Sequence, residues 1–364
     1  MTHLGILAYS IAIDLEPSKL QWCINQWQNY QIGTSFDDQV SRHKLWPTLE
    51  FCCRQNKLWE YLPPELQARL QSTRHRYALR QLQLISQLEQ LDQALTARGL
   101  QGILLKGSAL LFYQIYPSLG DRGTADIDIA VAPAQIAAFV EVLASLSYAT
   151  EDPILPEITD RTHHLPPFIR LDSLNIEVHP LGKFDGMIQQ FSDEIVTTAD
   201  YPEGFTALQV PTPTELFWHM AWHTWFNLPQ LRNILDLHRL RNLHQVDLGL
   251  LSQRAQAYGL GHYWELLLEQ VEEIVTGQAT MSTIHRWEWS MKSRFGGCLY
   301  LPNRTTRQIW QSLFAKSIRF KRYPFLYPVI VLWRLWFVGV AYVEWLVSLV
   351  TFRGLSPLNH QILE

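Results

Sequence analysis

Asp126 and Asp128 stand two residues apart in an otherwise apolar run, Ala125-Asp126-Ile127-Asp128-Ile129. The run reads as a strand, and strand side chains alternate faces, so both carboxylates point the same way. Two acids on one face repel, and stripping water from either is costly, so the pair calls for a cation. Oxygen donors of this kind suit Mg²⁺. Upstream, the apolar run Leu104-Leu105 stops at Lys106-Gly107-Ser108, and a helix-like segment follows from Ala109 to Tyr116. A small-residue turn opening a helix presents backbone N–H groups that suit phosphate. Lys106 reads either as a reach toward a triphosphate or as a surface lysine. Arg122 reads either as a phosphate ligand or as the partner of a strand acid. Phosphate donors beside metal-binding carboxylates are the parts that nucleotidyl transfer needs.

The order of these pieces resembles the nucleotidyltransferase superfamily, which shares the fold of DNA polymerase beta. In detail it is similar to a bacterial group known as nucleotidyltransferases by sequence only. The quoted features are Leu104 to Gly107, Tyr116-Pro117, Arg122, Asp126-Ile127-Asp128 and Glu177-Val178-His179. The match is specific over residues 99–182, and a weaker echo runs through Glu215, His219, His223 and Asp236 to about Arg241. A glycosyltransferase also uses Asp-x-Asp, but the upstream Gly-Ser turn favours the nucleotidyltransferase order. The resemblance implies a core of three acids around divalent metal, with Glu177 as the third. The segment Leu174 to His179 alternates apolar and polar, so Glu177 and His179 share a face. Lys106 departs from the superfamily, where many members carry an apolar residue.

Composition narrows the classes. The 364 residues are 47% apolar with a net charge of −4, which fits a globular chain and argues against a general nucleic-acid binder. The four cysteines lack C-x-x-C spacing, which fits a reduced, cytoplasmic setting. The first residues, Met1 to Gly5, lack the basic start of a signal peptide.

Around the acid strand the elements follow from periodicity. Residues 1–62 read as short helices, and Pro63-Pro64 opens a long one whose apolar positions keep helical spacing to Arg98. Gly99 is suited to end it. Pro133 starts a helix through Phe139 to Leu146, and a loop over 151–167 feeds a strand near Pro167 to Leu171. From Thr214, the expected cap, the pattern is helical again. His219 and His223 fall on one face of that helix, with Glu215 a turn earlier. Three readings stay open for them: a transition-metal face, a buried polar network, or a group near the acceptor that takes its proton.

The C-terminal stretch Tyr327 to Phe352 carries only Arg334 and Glu344 as charges, behind a basic flank of Lys316, Arg319, Lys321 and Arg322. It ranks first as a helix lying on a membrane surface, then as a buried helix, then as a span.

These readings combine into an α+β fold, a nucleotidyltransferase-like mixed β-sheet core flanked by N-terminal and C-terminal helical regions. The expected divisions are 1–98 (helical), 99–204 (core), 205–315 (helical) and 316–364 (apolar tail). The expected activity is metal-dependent transfer of a nucleoside monophosphate from a nucleoside triphosphate, ATP among the candidates, to a small-molecule or peptide acceptor. Asp126, Asp128 and Glu177 are the expected catalytic and metal residues for two Mg²⁺. Lys106, Gly107, Ser108 and Arg122 are the expected phosphate ligands. His179, His219 and His223 belong to the acceptor side or to a structural network. The alternative is a catalytically silent module that binds nucleotide or a partner. Peripheral contact with the inner membrane face through residues 323–353 completes the expectations.

Overall fold

Two short apolar runs and one long polar helix set the architecture. The computed structural model describes residues 3–278 apart from 14, 30–33, 151–164, 182–194, 196, 227–229 and 259. The apolar tail and the segment 279–364 lie outside the described residues. The described residues belong to one unit, Met1–Leu155 with His163–Arg286.

Four helices open the chain, α1 (His3–Ile11), α2 (Pro17–Gln28), α3 (Thr34–Arg42) and α4 (Trp46–Gln55). The long helix α5 spans Pro64–Thr96, as its spacing predicts, and Gly99 closes it with φ +63°. Strand β1 (Gly102–Leu105) follows, then the short α6 (Lys106–Leu110), β2 (Asp126–Val131) and α7 (Ile136–Ser145). The sheet is completed by β3 (Ala149–Thr150), β4 (Phe168–Ile169), β5 (Asn175–Pro180) and β6 (Leu208–Gln209). Four helices close the described chain: α8 (Pro213–Phe226), α9 (Leu231–Leu243), α10 (Leu248–Ala257) and α11 (Gly261–Val275).

The six strands lie in the order β3-β4-β5-β2-β1-β6. β2 runs antiparallel to β1 and parallel to β5, and β6 runs parallel to β1. The fold is therefore α+β with a mixed sheet, as expected. The central strands are buried on both faces, so their residues are almost uniformly apolar. The acids of β2 stand out against that background. Because β6 pairs with β1, the sheet continues past residue 204, where the sequence suggests a boundary.

Helix α5 is bound to the sheet region through polar side chains as well as apolar ones. Arg74 Nε donates to Asp121 Oδ1 at 2.6 Å, and Gln81 Nε2 donates to the Arg122 carbonyl at 3.0 Å. Gln87 accepts from Leu174 N at 3.0 Å and donates to its carbonyl at 3.2 Å. Buried Asp92 accepts from the backbone N–H groups of Ala207 and Leu208, at 2.8 and 2.7 Å. One helix thus fixes the segment before β2, the start of β5 and the start of β6. These bonds give the buried backbone groups the partners that burial demands.

Two local expectations change. The helix after β1 begins earlier, at Lys106, and ends at Leu110, with turns beyond it. Helix α8 is capped by Thr212, whose Oγ1 accepts from Glu215 N at 3.3 Å. Pro213 at the first helical position needs no such partner, so the cap moves two residues upstream of Thr214, whose Oγ1 instead accepts from Asp247 N. Among the described residues no helix is long and apolar enough to cross a membrane.

Candidate active site

Strand register assembles the site. β1 places Leu105 opposite Asp128, and β5 places Glu177 opposite Asp128 and His179 opposite Ala130. Asp128 therefore sits between the residue that precedes Lys106 and the residue two before His179. A cavity of about 410 Å³ opens here, within the range of small-ligand sites. It is lined by Asp126, Asp128, Glu177 and His179 from the sheet and by Lys106 and Gly107 beside it. His219 and His223 from α8 line it, as do Lys44, Arg122 and Arg232.

Asp128 is buried and accepts from two groups at the same oxygen. Lys106 Nζ donates to Oδ1 at 2.6 Å, and His179 Nε2 lies 2.9 Å from it. Burial opposes the carboxylate charge, but the Lys106 ammonium and the bond from His179 outweigh it and hold the Asp128 pKa well below the ordinary range. Lys106 responds in kind: burial opposes its charge, Asp128 outweighs burial, and its pKa rises. Lys106 adopts φ 49°, a left-handed conformation that costs a residue with a Cβ about 1–2 kcal/mol.

One ligand atom each from Asp128, Glu177 and His179 lie within 4.8 Å of one another. Two carboxylates and an imidazole are a donor set that fits a divalent cation, with the nitrogen widening the choice beyond Mg²⁺. Asp126 lines the same cavity from the half-buried start of β2 but is not in this close trio, whose third member is His179. Lys106 already supplies a positive charge at Asp128 Oδ1, so a metal at that oxygen has to displace it.

The expected phosphate residues separate. Gly107 lines the cavity, and a Cβ there would lie 2.8 Å from Arg122 Nη1 and 3.0 Å from Thr124. Glycine is what lets Arg122 pass so close. Ser108 does not line it. Its fully buried hydroxyl donates to the Leu105 carbonyl at 2.8 Å and to the Asp128 carbonyl at 3.3 Å, tying β1 to β2. That hydroxyl therefore serves the backbone: a small residue at a strand-to-helix turn reads alike whether it faces ligand or backbone.

Arg122 is paired, and not with a strand acid. Its Nε and Nη2 donate to Asp236 Oδ2 of α9 at 3.0 and 2.9 Å, and Nη1 donates to Thr124 Oγ1 at 3.0 Å. Tyr116 Oη donates to the other Asp236 oxygen at 2.8 Å. Asp236 is thus the anchor between the sheet region and the C-terminal helices. Glu215 is likewise structural, paired to Arg254 through both oxygens at 2.8 and 2.9 Å. His219 and His223 face the cavity with ring centroids 6.4 Å apart. Burial, then the Lys106 charge, pushes the His223 pKa well below its usual value, so this imidazole is neutral.

Lys44 and Arg232 were not identifiable from the sequence. They come from a turn and a helix start far from the acid strand, in segments with no motif of their own. The one available signal was the echo around Asp236, which includes the turn that carries Arg232.

A family described as uncharacterised nucleotidyltransferase matches residues 34–276, more than half of the 364-residue chain. The chain belongs to this family. No curated protein and no solved structure matches it. The matched span contains every cavity residue named above, including Lys44 near its start and Arg232 near its end. The family match therefore takes in part of each helical region as well as the sheet.

Proposed function

We propose that this cavity transfers a nucleoside monophosphate from a nucleoside triphosphate to a small-molecule or peptide acceptor. The observation that carries the reading is the juxtaposition of Asp128, Glu177 and His179 beside Lys106 in a chain of the nucleotidyltransferase family. Glu177, with His179 adjoining, would complete the site of a second divalent metal, while Asp126 and Asp128 would hold the one that meets the triphosphate, two Mg²⁺ in the fullest form. That metal would neutralise the triphosphate and favour in-line displacement at the α-phosphorus. Lys106 holds Asp128 ionised until the nucleotide arrives and is then placed to turn to its phosphates. Gly107 leaves room for the approach. Arg122, anchored by Asp236, gives the phosphates a fixed positive wall. His223, uncharged at neutral pH, and His219 are the residues placed to take a proton from the acceptor hydroxyl.

Calorimetric titration of the full chain with each nucleoside triphosphate, in Mg²⁺, in Mn²⁺ and in EDTA, tests this. Binding that requires the divalent cation is expected. Equal affinity in EDTA would sink the metal-bridged reading.

One observation favours a second reading. The Lys106 ammonium by itself balances the Asp128 charge, as a catalytically silent nucleotide-binding module would need. Such a module binds nucleotide in EDTA as well as in Mg²⁺ and shows no turnover. Membrane contact through residues 323–353 is a separate proposal, tested by release from membranes in high salt.

A further inference from the structure

The cavity has two chemically different ends. At one, Asp128, Glu177 and His179 lie with Lys106 and the α8 histidines. At the other, Lys44 and Arg232 stand beside Arg122 and Asp126. Lys106 and Arg122 each have a carboxylate, Asp128 and Asp236. Among the described residues Lys44 and Arg232 have none within ion-pair distance. Arg232 donates from Nη1 to the Gly123 carbonyl at 2.8 Å, while its buried Nε has no hydrogen-bond partner among those residues.

Lys44 adopts φ 53° and Lys106 adopts φ 49°, left-handed conformations shared among the described residues by Lys57, Gln114, Ser147 and Asp172, and both of these lysines line the cavity. The three cations at this end also oppose one another. Burial, then Arg232, lowers the Lys44 pKa, and burial, then Arg122, lowers that of Arg232 to about 10. Repulsion among clustered cations falls when a polyanion enters, which is how such clusters select phosphate chains over single charges.

We infer that Lys44 and Arg232 form a polyphosphate clamp that grips the β- and γ-phosphates from the two helical regions, beside Asp126 at the start of the acid strand. The inference rests on the nucleotidyl-transfer reading for its ligand, and both residues fall within the family match. Arg232 offers a planar fork whose unpartnered Nε is suited to a phosphate oxygen, and Lys44 adds a point charge. The pyrophosphate leaving group would then be held away from the acceptor end.

Inorganic tripolyphosphate, titrated calorimetrically into the full chain in Mg²⁺, is the direct probe because it carries no base or sugar. Lys44→Gly removes the cation and relieves the left-handed strain, so it should melt no lower than wild type while losing tenfold or more in affinity. Arg232→Lys keeps the charge but loses the fork and should lose affinity less than Arg232→Gln. Wild type that fails to bind tripolyphosphate would overturn the clamp, as would Lys44→Gly and Arg232→Gln that both retain wild-type affinity. Nucleotide turnover is read in the same preparations. Turnover with unchanged tripolyphosphate affinity in the variants rejects the clamp and leaves the transfer reading intact. Loss of tripolyphosphate affinity in the variants of a protein that never turns nucleotide over supports the clamp and rejects transfer.

Discussion

The cavity wall carries two buried ion pairs, Arg122 with Asp236 and Lys106 with Asp128, and they are built differently. Arg122 reaches Asp236 through two nitrogens, its third goes to Thr124, and Tyr116 takes the other carboxylate oxygen. All three Arg122 nitrogens and both Asp236 oxygens are engaged there, and Asp236 is fully buried. Lys106 reaches Asp128 by a single contact, from a left-handed backbone, with its side chain 21% exposed. Glu177 and Asp126 crowd the same face. A saturated pair fixes structure. A one-point pair beside two further acids leaves room for a ligand to rearrange it.

The sharpest way to break this contrast is to remove one partner of the saturated pair. Asp236→Asn should cost about 3–5 kcal/mol of stability, because Arg122 is left charged and buried. Chemical denaturation measures it, and a loss below about 1 kcal/mol would put the two pairs in one class. Glu177→Gln acts on the other side of the contrast. Turnover should fall by more than the roughly 10–100-fold that follows loss of an outer-shell partner, while nucleotide affinity changes little. Saturation kinetics separate the two, and a loss confined to affinity would contradict the assignment.

The pH dependence of stability sharpens the picture from a third position. His43, between α3 and α4, is fully buried, and burial, then Arg42, lowers its pKa to about 3. The unfolded chain takes up a proton near pH 6.5 that the folded chain refuses. Stability should therefore decline as pH falls below 6.5, by up to about 1.4 kcal/mol per pH unit from this group, until the folded state protonates near pH 3. Asp128 adds to the loss only lower, below the pKa of an unfolded aspartate near 3.9, because its folded pKa is depressed. His43→Asn should flatten the upper part of the decline and leave the lower part. An unchanged slope between pH 6.5 and 4 would show that His43 is not its source.

The smallest effect is expected at Lys106. Lys106→Gly relieves the left-handed backbone while removing one contact, so stability should stay within about 1 kcal/mol of wild type. Divalent metal should bind this variant more tightly, since the competing ammonium is gone. Weaker metal binding would mean that Lys106 organises Asp128 for the metal and does not compete with it.

The acid strand was legible because a period of two in an apolar run admits few other readings, and Asp126, Asp128, Glu177 and His179 all line the cavity. The parallel pairing that sets Glu177 opposite Asp128 was not, since register depends on which strands become neighbours. The partners of Gln81, Gln87 and Asp92 were not legible either, because a polar residue reads the same whether its partner is water or buried backbone. Arg122 could be marked as a cation of interest, but Asp236 lies 114 residues away, and only the folded chain brings them together. Lys44 and Arg232 were invisible for the same reason.

The central claim is that Asp128 serves transfer and not merely the fold. Incubation of the full chain with α-phosphate-labelled nucleoside triphosphate, Mg²⁺ and a mixture of small molecules and peptides tests it most directly, with Asp128→Asn alongside. The account predicts metal-dependent appearance of label in a new product with wild type and none with Asp128→Asn, whose folded state is verified by its melting curve. Equal labelling by the two proteins, or labelling by neither with nucleotide bound, would contradict it.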